Sequence, residues 1–116
     1  MLLTKQQILE VKDLKTEKVY IEEWGGDVYV KTLTGAERDR FEKSILTPDG
    51  KRGDFENLRA KLVIEVCVDK DGKRIFTQKD LLALGGKCAG ALDKIFDIGQ
   101  RLSGITKKDV DDMTKN

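Results

Sequence analysis

The chain has 116 residues, 39% hydrophobic and 37% charged, which suits one domain with a modest core beneath a heavily charged surface. Lys plus Arg total 22 against 21 Asp plus Glu, so the net charge is +1 and the basic footprint of a nucleic-acid binder is missing. Histidine is absent, which excludes His-based acid–base and nucleophile systems and most zinc sites, and no run approaches the ~18 apolar residues of a membrane span.

Thr4-Lys5-Gln6-Gln7 has the form of a capping box, a hydroxyl at the N-cap with Gln three residues on, and predicts a short helix over about 4–12. Its apolar residues are Ile8, Leu9 and Val11, and so short a helix needs something to pack against. Two β-branched and aromatic runs, 18–24 and 28–33, flank Gly25-Gly26-Asp27 and predict a hairpin. With Gly26-Asp27 central in a type II′ turn, Trp24 faces Tyr29 and Glu22 faces Lys31. With Gly25-Gly26 central, Glu23 would face Val28, a poorer match.

Thr34-Gly35-Ala36-Glu37 is a second capping box, opening a helix to about Leu46 with Phe41 and Ile45 on one face. A polar loop with a Pro48-Asp49-Gly50 turn signature follows. Asp54 is placed to cap the next helix, where Phe55, Leu58, Leu62, Val63 and Val66 make a helical stripe widened by Ala60, Ile64 and Cys67. Glu56, Arg59, Lys61 and Glu65 are its expected solvent side. Asp71-Gly72 marks a second tight turn, and Thr77 to Asp80 caps a short helix that Gly85-Gly86 breaks. The last helix spans about 87–103, with Leu92, Ile95, Phe96, Gly99 and Leu102 on one face and Gly104 as its C-cap. Residues 106–116 form a polar tail, with Val110 and Met113 its only apolar side chains. The expectation is a single α+β domain over 1–105: an N-terminal β-hairpin, a small mostly helical bundle of four to five helices, and a second short hairpin or tight turn.

Candidate chemistry is sparse. Asp69-Lys70-Asp71-Gly72 resembles part of a calcium loop, but position six is Arg74 instead of Gly and position twelve is Asp80 instead of Glu, so it reads as a turn. The Gly-Gly pairs lack the spacing of phosphate-binding loops. Glu22 and Glu23 adjoin in a strand and point to opposite faces, so they cannot act together. Cys67 and Cys88 read as small buried hydrophobes. No catalytic, cofactor-binding or metal-ligating residue is expected. What remains is a partner surface: Trp24 and Tyr29 as aromatic anchors, joined by Tyr20 and by Ile8, Leu9 and Val11 of the first helix.

The order of segments carries a resemblance. A Leu-Leu-Thr-x-x-x-Ile-Leu start precedes Glu23-Trp24-Gly25-Gly26-Asp27-Val28-Tyr29-Val30 and Leu33-Thr34-Gly35-Ala36-Glu37-Arg38-Asp39. Then come Asn57-Leu58-Arg59-Ala60-Lys61-Leu62-Val63, Asp71-Gly72-Lys73-Arg74-Ile75-Phe76-Thr77, Leu92-Asp93-Lys94-Ile95-Phe96 and Gln100-Arg101-Leu102-Ser103-Gly104. Over about residues 2–105 this resembles the small tail assembly chaperones of long-tailed phages and prophages. The resemblance implies a non-catalytic protein without cofactors. It would coat the tape-measure protein and help recruit tail-tube protein as a homo-oligomer, in the cytoplasm of the bacterial host, and be absent from the mature virion. It implies neither nucleic acid nor membrane as a partner. Another phage structural or head–tail connector protein is the alternative.

Overall fold

A computed structural model describes residues 1–45 and 56–105. Within them the chain is α+β, with five helices and a three-stranded antiparallel sheet. The helices are α1 (Lys5–Glu10), α2 (Gly35–Ile45), α3 (Leu58–Val66), α4 (Leu81–Gly85) and α5 (Ala89–Leu102). The strands β1 (Thr16–Ile21), β2 (Gly26–Lys31) and β3 (Cys67–Val68) lie in that order across the sheet. Pro48, Asp54, Phe55 and the expected polar tail lie outside the described residues.

Both expected capping boxes form, and the expected cap at Thr77–Asp80 makes a third. Thr4 and Gln7 exchange side-chain and backbone bonds at the start of α1. At α2, the Glu37 N–H donates to Thr34 Oγ1 at 3.1 Å and the Thr34 N–H to Glu37 Oε1 at 2.9 Å. The third, Thr77 with Asp80, opens a 3-10 turn leading into α4. At the end of α5, Gly104 takes a φ of 69° and Ile105 N–H donates to the Gln100 carbonyl at 3.0 Å. That is a Schellman ending, and it buries Ile105. Asp71-Gly72 forms the second tight turn, with Gly72 at φ 81°. The Asp69 carboxylate there accepts the backbone N–H groups of Asp71 and Lys73. Those backbone bonds hold its pKa below the usual value.

The hairpin forms in a register other than the expected one. Tyr29 stands opposite Lys18, not Trp24, and Lys31 stands opposite Thr16, not Glu22. Glu22–Trp24 instead make a 3-10 turn closed by Gly25, whose φ is 70° and whose N–H donates to the Ile21 carbonyl at 2.9 Å. The reason is tertiary: from the turn, Trp24 packs against the core and Glu23 pairs with Lys94 of α5 at 3.2 Å. The slip is an even number of residues, so the same apolar side chains (Val19, Ile21, Val28 and Val30) still line the core face.

α3 is the centre of the domain. Every residue from Ala60 to Val68 is buried, including Lys61 and Glu65, which were expected on the solvent side. Flanking elements satisfy both charges: the Lys61 ammonium donates to the Ser44 carbonyl, and Glu65 receives Arg40 and Arg74. α5 packs along α3 and also on the sheet. Cys67 is in this core, and burial pushes its thiol up to about 11. Cys88, just before α5, is exposed, contrary to expectation, because it precedes the helix's inward face, which begins at Ala91.

Glu37 makes the fold sensitive to acid. Partial burial pushes its carboxyl up, but the hydrogen bonds from the Lys31 ammonium and the Thr34 amide outweigh that and hold it below the ordinary 4.5. Its stabilisation is therefore complete above the unfolded-state value and is lost as pH falls through the lower folded value. Glu37→Gln should flatten the decline of stability between about pH 5 and pH 3. Urea unfolding at stepped pH measures this, and an acid limb as steep as in the parent would contradict it.

Candidate functional site

The first sixteen residues bury nothing. α1 has a complete capping box and no buried residue, and it follows Leu2 and Leu3, which are 91% and 54% exposed. On and after the helix, Ile8, Leu9, Val11 and Leu14 are all at least half exposed, with Leu9 at 70%. The arm joins the body where the Thr32 N–H donates to the Lys15 carbonyl at 2.8 Å and the Lys15 N–H donates to Thr32 Oγ1 at 3.0 Å. It is thus an ordered apolar segment fixed at its base. A six-residue helix gains too few backbone bonds to persist alone, so its apolar face calls for a surface to pack on.

The expected partner residues divide three ways. Ile8, Leu9 and Val11 lie together on the arm. Tyr20 and Tyr29 share the face of the sheet opposite the core, on diagonal positions of β1 and β2. Trp24 is half-buried at the hairpin tip and packs against the core. The tip is held to α5 through Glu23 and Lys94, and the Glu23 carboxyl sits below its usual pKa because of its backbone hydrogen bond and then Lys94. Sequence reading missed Leu2, Leu3 and Leu14. Leu3 and Ile8 occupy the N′ and N4 positions of a hydrophobic staple, a signal available from the spacing.

Among the described residues no three His, Cys, Asp or Glu side chains cluster to hold a metal ion, and no helix is long and apolar enough to cross a membrane. No family model matches the sequence, and no curated protein does. A solved structure does: the bacteriophage HK97 tail assembly chaperone superposes with a TM-score of 0.60 at 17% identity, covering 84% of this chain and 94% of that one.

The chain shares its fold with a phage tail assembly chaperone.

At 17% identity the likeness concerns fold.

Proposed function

We propose that this protein is a non-catalytic tail assembly chaperone whose exposed N-terminal arm engages the tape-measure protein. In this reading it also helps recruit tail-tube protein, acts in the host cytoplasm and leaves before the virion is complete. The observation that carries the reading is the arm, an ordered apolar helix that contributes nothing to its own domain's core. A long helical client offers repeated apolar stripes, and a short amphipathic segment packs on such a stripe. Many weak contacts repeated along one client become effective together, which favours several copies per client and self-association. The fold shared with the HK97 chaperone supports the same assignment.

The test mixes the protein with fragments of its cognate tape-measure protein and follows solubility and stoichiometry by light scattering. Soluble complexes holding several copies per fragment are expected. Leu9→Asp combined with Val11→Asp should abolish capture while leaving the stability measured by urea unfolding within about 0.5 kcal/mol of the parent, because neither side chain is buried. Undiminished capture by that variant would remove the arm from the interface. Absence of any capture, together with detection of the protein in purified virions, would replace the chaperone reading with the connector alternative.

A further inference from the structure

The sheet has a second face that the arm does not explain. One row crosses it in register: Lys18 of β1, Tyr29 of β2, Val68 of β3 and then Arg74, which bridges to Val68. Paired residues of antiparallel strands project to the same side, so these four share the face away from α5. Tyr20 lies in the adjacent row and is 60% exposed. At the Arg74 end the face is continued by Arg40 of α2, because both guanidiniums bind one carboxylate, Glu65.

The charges on this face are unevenly distributed between solvent and interior. Glu65 is 1% exposed and accepts from Arg40 Nε and Nη2 and from Arg74 Nη1. One withdrawn carboxylate thus holds two guanidiniums whose side chains remain 47% and 38% exposed. Lys18 also reaches solvent, where Asp27 at 3.6 Å is the exposed carboxylate facing it. The two arginines therefore present one net positive charge outward, because Glu65, which they share, is buried, while Lys18 and the exposed Asp27 offset each other. Arginines anchored in this way keep outward N–H groups in a fixed fork suited to carboxylates, and little side-chain freedom remains to be lost on binding. Tyrosine beside arginine is also the composition of interface centres.

We propose that this outer sheet face, centred on Tyr20, Tyr29, Arg40 and Arg74, is a docking surface for an acidic protein segment whose carboxylates meet the two arginines while its apolar side chains lie on the tyrosines. The site is separate from the arm and stands whether or not the tape-measure assignment holds.

The probe is a short fluorescein-labelled peptide of Glu-Leu repeats, compared by anisotropy with its Gln-Leu counterpart. At low ionic strength the acidic peptide should bind at least about tenfold more tightly than the neutral one, with the difference shrinking as salt rises. Arg74→Gln should weaken binding by about fivefold or more. Tyr20→Ala is the fold-safe companion, since its side chain is exposed, and should weaken binding by about fivefold. Lys87→Gln, exposed just before α5, and Leu9→Asp, on the arm, should leave it unchanged. Equal binding of the two peptides, or full binding by Tyr20→Ala, would overturn the proposal, as would a loss in Lys87→Gln matching that in Arg74→Gln. Loss only in Leu9→Asp would reassign the peptide to the arm.

Discussion

In a variant carrying both Arg40→Ala and Arg74→Ala, stability measured by urea unfolding should fall by about 3–5 kcal/mol. Glu65 lies on the central helix at 1% exposure, and the two arginines satisfy its carboxylate through Arg40 Nε and Nη2 and Arg74 Nη1. Removing them leaves an anion in the core with neither counter-charge nor water, the costliest way to break a buried pair. The opposite deletion should be milder. Glu65→Met removes the buried charge itself and leaves two half-exposed guanidiniums that water can hydrate, so a loss below about 2 kcal/mol is expected. Arg74→Ala alone should fall between, because the two-pronged Arg40 contact survives. The ordering is the measurement. If Glu65→Met destabilises as much as the double arginine variant, the cluster stabilises through packing instead of charge.

Gly99→Leu should abolish the cooperative unfolding transition at ordinary temperature. A Cβ at Gly99 would stand 3.0 Å and 3.2 Å from the two methyls of Val66, at the crossing of α3 and α5. Both helices are pinned there, α3 by burial on every side and α5 by the sheet behind it. A leucine has no direction of retreat, and its cost should exceed the ~1–3 kcal/mol of ordinary overpacking. Gly99→Ala should lose far less, because Val66 must yield by only a few tenths of an ångström and alanine gains up to ~1 kcal/mol of helix propensity over glycine. Adding Val66→Ala to Gly99→Leu should recover part of the loss, a coupling that a double-mutant cycle reads directly. No recovery would mean that the helices meet elsewhere.

The capping boxes, the Gly72 turn, the Gly104 helix ending and the inward face of α5 were legible because each rests on residues close in the chain. The register of the hairpin was not. Alternation of Val19, Ile21, Val28 and Val30 defines which face is apolar, but any even slip preserves it. The deciding interactions were Trp24 against the core and Glu23 with Lys94, residues distant in sequence. The same limitation applies to Glu65 and Lys61. Helical spacing placed them opposite the apolar stripe, and only the partners brought by α2 and the Asp69–Arg74 turn made their burial tolerable. Of the residues proposed to meet a partner, the exposed arm trio was singled out from its capping box and its shortness. The outer sheet face was only half legible, since Tyr20 and Tyr29 were singled out while Arg40 and Arg74 had no signal without the fold.

The Leu33 N–H donates to Ser103 Oγ at 2.9 Å across 70 residues of sequence, tying the exit of the hairpin to the end of α5. During synthesis the ribosome finishes both long strands well before it makes the helix that covers them. At ~5–20 residues per second the interval is roughly 4–14 s. Through that interval the nascent hairpin has no roof, and its valine-rich face is open to any passing strand or helix. The domain thus closes late and from its far end, once Ser103 and Ile105 have been made.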